Sequence, residues 1–168
     1  ATVYHLIHKP VLEDRPRKII IVNRSQPRLD HMQNVIQKLG TDIVFEFILN
    51  NNPEQNDILM QSLPDYSIII NATGMGKDIP GSPITKNGIF PLHGITWEFN
   101  YRGELDFLHQ ALSQKENRNL LVEDGWPYFL HGWDLALRQI LHLQDFIDLF
   151  SILEKSARIV RNPNQNLT

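Results

Sequence analysis

The chain has 168 residues, of which 42% are hydrophobic and 21% are charged, and its formal net charge is −3. This size and composition are typical of one globular domain with its own core, and the charge gives no general affinity for nucleic acids or membranes. The sequence contains no cysteine, which excludes disulfides, thiolate metal sites and a cysteine nucleophile.

No apolar run approaches the ~20 residues that a transmembrane helix needs, and residues 1–12 lack the layout of a signal peptide. We therefore predict a cytoplasmic protein. The first residues carry apolar side chains at helical spacing without a preceding cap or strand, so we expect the sequence to begin inside a larger unit.

Helical and strand patterns alternate along the chain. The predicted elements, in chain order, are helix 1–12, strand 18–23, helix 26–39, strand 42–50, helix 53–63, strand 66–73, strand 94–99, helix 104–117, strand 119–124 and helices 128–142 and 145–160. The strands are nearly continuous runs of branched apolar residues, which favours a parallel sheet buried on both faces. We predict a doubly wound, Rossmann-like α/β domain over residues 1–160, followed by a frayed tail at 161–168.

In a doubly wound sheet, ligands bind beyond the carboxyl ends of the strands. Four segments follow predicted strands and carry polar or aromatic side chains, namely 23–28, 71–76, 97–103 and 124–132. These four segments are therefore the candidate parts of a binding site.

The segment after the first predicted strand carries Asn23, Arg24 and Ser25, with Arg28 about one helical turn later. In dinucleotide-binding folds a carboxylate at this place binds the ribose hydroxyls of NAD, whereas an arginine accommodates the 2′-phosphate of NADP. No aspartate or glutamate lies between residues 18 and 29, so the pattern favours NADP. The spacing alone leaves open the alternative that both arginines are solvated, as most exposed arginines are.

The segment after the strand 66–73 begins with Asn71, Ala72 and Thr73 and continues through Gly74 to Gly76. Small residues here allow a flat cofactor ring or a ribose to lie against the main chain, and glycine allows a sharp turn. The alternative is a plain turn between a strand and a loop. The segment is not a phosphate-binding P-loop, because the pattern G-x-x-x-x-G-K-[ST] is absent.

The remaining two segments are rich in aromatic residues. Tyr101 is placed to hydrogen-bond a polar substrate, Gly125 allows a ligand to approach closely, and Tyr128 and His131 are candidates to line the site. The alternative is that these aromatic residues belong to the core or to its rim. We predict no metal site, because the histidine pair near the start of the chain has no third ligand placed to complete one.

In this order, the four segments resemble the C-terminal NADP-binding domain of the shikimate dehydrogenase family, over about residues 1–150. The family motif N-R-[TS]-x-x-[RK], which holds the 2′-phosphate, is matched by Asn23, Arg24, Ser25 and Arg28. The family motif I-N-A-T-[SP]-x-G is matched by Ile70, Asn71, Ala72, Thr73 and Gly76, with Gly74 in place of serine or proline. The resemblance implies that NADP is the cofactor and that these residues bind it, together with Gly125 and Tyr128.

Family members usually have D-G-x-x-M-L-x-x-Q after the last strand. Asp124 and Gly125 match this pattern, but Tyr128 replaces the methionine beside the nicotinamide and Gly132 replaces the glutamine that touches the substrate. His131 is the candidate polar replacement, and the substrate-facing tyrosine of the family corresponds best to Tyr101 within "FNYRGELDF". These departures leave the substrate open.

The resemblance also implies that the first strand, its glycine loop and an N-terminal substrate domain are absent from this sequence. The catalytic lysine and aspartate of the family lie in that absent part, so no catalytic residue is assigned here. The absent domain would come from the same or a separate chain. We expect a small-molecule substrate, no nucleic-acid or membrane partner, and a homodimer as one oligomeric state open to the protein.

The function that the resemblance implies is an NADP-dependent oxidoreductase of aromatic amino acid biosynthesis. It would transfer a hydride between NADP and a hydroxylated cyclic carboxylic acid of the shikimate/3-dehydroshikimate type, and this chain alone would be inactive. One alternative is a non-catalytic Rossmann-type ligand-binding or scaffolding protein, which the altered D-G segment suggests. Another is a related NADP dehydrogenase with a different substrate.

Overall fold

A computed structural model describes residues 2–144 and 148–161, with side chains up to residue 159. The chain divides into two compact units, residues 1–55 and 56–168. The prediction of a single domain over residues 1–160 stays a prediction.

The first unit is built around one parallel β–α–β crossover. Its elements are α1 (Thr2–Ile7), a 3₁₀ turn (Leu12–Asp14), β1 (Lys18–Asn23), α2 (Gln26–Leu39), β2 (Val44–Leu49) and the start of α3 (Pro53–Gln61). β1 and β2 pair in parallel from Lys18 with Val44 to Asn23 with Leu49. Helix α2 connects them, buries Leu29 and Ile36, and ends at Leu39; Gly40 follows it in the left-handed conformation with φ of 60°. This conformation is the one for which glycine is favoured after a helix.

The second unit contains a three-stranded parallel sheet with the order β3–β4–β5. Its elements are the rest of α3, β3 (Ile68–Asn71), β4 (Ile95–Glu98), α4 (Asp106–Arg118), β5 (Leu121–Glu123), α5 (Trp126–Leu141) and α6 (Leu149–Arg161). The core of this unit consists of Met60, Ile84, Phe90, Phe107, Ala111 and Leu120. Phe90 and Phe107 meet edge to face, with ring centroids 5.6 Å apart.

The central strand β4 has two different faces. Thr96, Glu98 and, just beyond the strand, Asn100 are buried, whereas Trp97 and Phe99 are half-buried. Successive side chains of a strand point to opposite faces, so the three polar residues share one face and the two aromatic residues the other. The polar face of this strand therefore ends at the carboxyl edge of the sheet with a buried acid.

The predicted mixture of helices and parallel strands is confirmed, and strand 18–23 is found at its predicted bounds as β1. The described strands form two small sheets, of two and three strands. Within the described residues β1 pairs with β2 alone, and its residues are half-buried or exposed where the sequence predicted burial on both faces.

Two predicted helices, the first and the last, differ from the structure by more than two residues at one end. The first helix stops at Ile7, and the prediction of helix up to residue 12 is wrong. Pro10 explains this end, because proline has no N–H group and disfavours helical backbone at the residue before it. The last helix, α6, begins at Leu149, whereas the sequence predicted a start at residue 145. Residues 145–147 lie outside the described residues. The predicted tail begins at the last residue of α6, and residues 162–168 also lie outside the described part.

Within residues 2–144 and 148–161, no helix is long and apolar enough to cross a lipid bilayer.

Candidate functional site

The segment that leads from the last residue of β1 into α2 in the first unit, residues 23–28, is shaped by a side-chain hydrogen bond. The backbone N–H of Ser25 donates to Oδ1 of Asn23 at 3.0 Å, a local turn that asparagine readily forms. The backbone carbonyl of Ser25 then accepts from the N–H groups of Arg28 and Leu29, both at 3.2 Å. Since Leu29 is only 3% exposed, the start of α2 is anchored directly after this turn. We call residues 23–28 the post-β1 segment.

Arg24 and Arg28 are the charged residues of the post-β1 segment, and both are exposed. Within the described residues neither guanidinium group has a hydrogen bond or an ion pair. Asp30, the nearest acid along the chain, accepts instead from the Gln26 side chain at 2.7 Å. The Ser25 side chain makes no capping hydrogen bond to α2. The segment thus presents two cations and a hydroxyl beside the positive end of a helix, which suits an anion.

The loop that follows β3 in the second unit, residues 72–79, is organised by Asn71, which is 1% exposed. Its Oδ1 accepts from the N–H of Thr73 at 3.1 Å and from the Thr73 hydroxyl at 2.7 Å. The Thr73 hydroxyl in turn accepts from the N–H of Met75 at 3.1 Å. Ala72 and Thr73 are exposed, and Gly76 is buried. We call residues 72–79 the post-β3 loop.

Glu98 lies at the end of β4 and is fully buried, with 0% exposure. Its Oε2 accepts from Nδ2 of Asn71 at 2.7 Å, and its Oε1 accepts from the N–H and the Nδ2 of Asn100, at 2.8 and 2.7 Å. Burial raises the pKa of the Glu98 carboxyl above its usual range, and the hydrogen bonds from Asn100 and Asn71 partly offset this by favouring the charged form. Three donors thus satisfy a carboxylate that is otherwise costly to bury.

Three glycines allow the backbone segments around this network to approach one another closely. Gly76 accepts from the N–H of Leu105 at 3.1 Å, and a Cβ on Gly103 would collide with the Gly76 carbonyl. The N–H of Gly125 donates to the carbonyl of Asn100 at 3.2 Å, and a Cβ on Gly125 would collide with the Phe99 carbonyl. The sequence predicted that Gly125 allows a ligand to approach closely. In the structure, the backbone that follows β4 also lies close to Gly125.

Tyr101 is half-buried and stacks on Phe129, with ring centroids 4.2 Å apart. Two cations lie near its ring, Nζ of Lys77 at 5.7 Å and Cζ of Arg102 at 5.9 Å from the centroid. Both cations are also ion-paired to Asp78, at 2.6 and 3.6 Å. The surroundings of the candidate substrate-facing tyrosine therefore include two positive charges and one negative charge.

Tyr128 and His131 lie on α5. Tyr128 is 45% exposed, and its ring stacks on Phe99, with centroids 4.8 Å apart and planes within 8°. The His131 ring stacks on Phe150 of α6 at 4.2 Å. One predicted site residue thus contacts the aromatic face of β4, and the other joins two helices.

The predicted site residues divide between the units. Asn23, Arg24, Ser25 and Arg28 form one compact group in the first unit. In the second unit, hydrogen bonds connect Asn71 with Thr73, and Asn100 connects this group with Gly125. Glu98 was not predicted as a site residue; an acid on the buried face of an apolar strand is the signal that could have identified it.

No group of three or more histidine and acidic side chains among the described residues is arranged to hold a metal ion. Comparison of the chain with protein-family models, with curated proteins and with solved structures found no match.

Proposed function

We propose that this chain is the NADP-binding part of an oxidoreductase resembling the shikimate dehydrogenase family. The observation that carries the proposal is the pair of exposed guanidinium groups of Arg24 and Arg28, which have no partner in the described part of the chain. They follow a parallel strand at its carboxyl end, the position where dinucleotide-binding sheets contact the adenosine ribose.

The post-β1 segment fits the 2′-phosphate of NADP chemically. A guanidinium group offers planar pairs of N–H donors that match phosphate oxygens, and its charge is permanent. Ser25 adds a hydroxyl donor, while Asn23 shapes the turn. No carboxylate is present between residues 18 and 29 to bind the free ribose hydroxyls of NAD, so the segment should select NADP.

The nicotinamide half would be held by residues of the second unit. Thr73 and Gly76 belong to the post-β3 loop, and Gly125 and Tyr128 lie at the start of α5. NADP supplies hydride transfer when bound; the role of these residues is to orient its ring and to keep water away from it.

The substrate we propose is a hydroxylated cyclic carboxylic acid. Tyr101 would hydrogen-bond it, and Lys77 and Arg102 beside that ring supply positive charge towards a carboxylate. His131 is a further candidate for substrate contact. Proton transfer to and from the substrate would be the task of the lysine and aspartate that the resemblance assigns to a separate substrate-binding domain.

We also propose the finer fold, a doubly wound sheet. In the order 3-2-1-4-5-6 of such a sheet, β2–β1 correspond to 3-2 and β3–β4–β5 to 4-5-6. The strand numbered 1 in that order, which the glycine loop follows, has no counterpart among the described strands.

The test is calorimetric titration of the chain with NADPH and with NADH. We expect NADPH to bind at least about tenfold tighter, since hydrogen bonds to a charged group contribute roughly 1.5–3 kcal/mol. Arg24→Ala should remove most of this preference by weakening NADPH and leaving NADH unchanged.

Arg17→Ala is the matched control, because Arg17 is also exposed and precedes the opposite end of β1. It should leave both affinities unchanged. Equal affinity of the unaltered chain for NADPH and NADH would contradict the proposal.

A further inference from the structure

The second unit buries the carboxyl group of Glu98 at a position where an apolar side chain would pack at a lower cost. Glu98 is 0% exposed, and fully buried glutamates are rare because burying a carboxylate is costly. All of its hydrogen bonds are accepted ones, from Asn71 and Asn100. We therefore consider how Glu98 affects the orientation of these two side-chain amides.

A carboxylate determines which way an asparagine amide points. Because both oxygens of Glu98 accept, each neighbouring amide must present its NH₂ group to them. The Asn71 NH₂ group does so at 2.7 Å. Its Oδ1 is thereby directed to the other side, where it accepts from the N–H and the hydroxyl of Thr73. If the Asn71 amide were rotated by 180°, its Oδ1 would face the carboxylate oxygen of Glu98. Its NH₂ group would then face the N–H and the hydroxyl of Thr73, which both donate in the observed arrangement.

The same orientation reaches the middle of the post-β3 loop. The Thr73 hydroxyl donates to Asn71 and therefore accepts from the N–H of Met75 at 3.1 Å. The carbonyl of Met75 accepts from Nδ2 of Asn71 at 3.3 Å and from Nδ2 of Asn100 at 2.9 Å. Both polar backbone groups of Met75 are thus bound to side chains that Glu98 orients directly or through Asn71.

We propose that Glu98 is a positioning residue that sets the conformation of the post-β3 loop through the orientation of Asn71 and Asn100, and thereby the affinity for the nicotinamide half of a dinucleotide. The second clause rests on the proposed function. Thr73 is exposed, follows the carboxyl end of β3 and is held before any ligand arrives, an arrangement that lowers the cost of ordering the loop on binding.

Glu98→Gln is the test variant, because it keeps the size of the side chain and replaces one acceptor by a donor. The new NH₂ group would face that of Asn71, which must then turn away or lose its partner. We expect amide hydrogen exchange at Thr73 and Met75 to become about tenfold faster. We expect NADPH and NADH to bind about tenfold more weakly, with their ratio unchanged.

The double variant Asn71→Asp with Glu98→Gln reverses the direction of the hydrogen bond. The introduced aspartate would accept from the introduced glutamine amide with one oxygen and from Thr73 with the other. Slow exchange at the N–H groups of Thr73 and Met75 should therefore return, although the Met75 carbonyl keeps only its hydrogen bond from Asn100. Glu116→Gln, on the exposed surface of α4, is the matched control and should change nothing. If the single variant fails to fold, the double variant should restore the fold as well as the exchange pattern.

Unchanged exchange at Thr73 and Met75 in Glu98→Gln would overturn the proposal, and so would a double variant without recovery. Faster exchange with undiminished NADPH and NADH affinity would overturn its second clause. If the unaltered chain binds NADPH and NADH equally, or neither of them, the proposed function falls, while the exchange data still decide the role of Glu98 in the loop.

Discussion

The post-β1 segment and the post-β3 loop both follow parallel strands, but their charged side chains have opposite surroundings. Arg24 and Arg28 are exposed, and no described residue pairs with them. Glu98, which orients the post-β3 loop, is completely buried and accepts three hydrogen bonds. An exposed charge without a partner contributes little to folding and stays available to a ligand. A buried, fully bonded charge is part of the structure itself, and its removal leaves its donors without partners.

The largest expected difference between the two regions is in how much the loss of the charged side chain lowers the free energy of unfolding. Glu98→Leu should lower the free energy of unfolding by about 3 kcal/mol, because buried donors of Asn71 and Asn100 lose their acceptor and each costs roughly 1–3 kcal/mol. Arg24→Leu should change the free energy by no more than about 0.5 kcal/mol, as surface substitutions do. Urea unfolding of both variants measures this difference. Similar losses in the two variants would show that the contrast between the regions is wrong.

A smaller effect is the pH dependence of stability. Burial raises the pKa of Glu98 in the folded chain above its ordinary value of 4.5, so the folded chain holds this proton more tightly than the unfolded chain. The resulting stabilisation is fully present below that ordinary value and is lost as the pH rises through the pKa of the folded state.

The measurement is the unfolding free energy of the unaltered chain minus that of Glu98→Gln. This difference should fall as the pH is raised from about 4 towards 7. Arg24→Ala, compared in the same way, should give a difference that is flat over this range. A flat difference for Glu98→Gln would mean that its pKa is not raised in the folded chain.

The post-β1 segment could be predicted from sequence because its determinants are local. Asn23 comes directly after four branched apolar residues, and Gly40 comes directly after the last apolar residue of α2. The bounds of the strand and of the helix therefore follow from neighbouring residues. The absence of an acid between residues 18 and 29 could likewise be read directly. For these reasons the expected strand and helix are both found in the structure.

The network around Glu98 could not be predicted in the same way, because it joins residues far apart in sequence. Asn71 and Glu98 are 27 positions apart and meet only because β3 and β4 pair in register there. Alternation along β4 would place Glu98 on one face with Thr96 and Asn100, but it does not reveal that this face is the buried one. The prediction consequently included Asn71 and omitted the acid that orients it.

The most direct test of the contrast uses one probe for each region. Adenosine 2′,5′-bisphosphate carries the 2′-phosphate without the nicotinamide, and NADH carries the nicotinamide without the 2′-phosphate. Both are titrated into the unaltered chain, Arg24→Ala and Glu98→Gln. Arg24→Ala should weaken the bisphosphate about tenfold or more and leave NADH unchanged, and Glu98→Gln should weaken NADH about tenfold and leave the bisphosphate unchanged. Equal weakening of both probes by each variant, or no effect of either variant, would contradict the account.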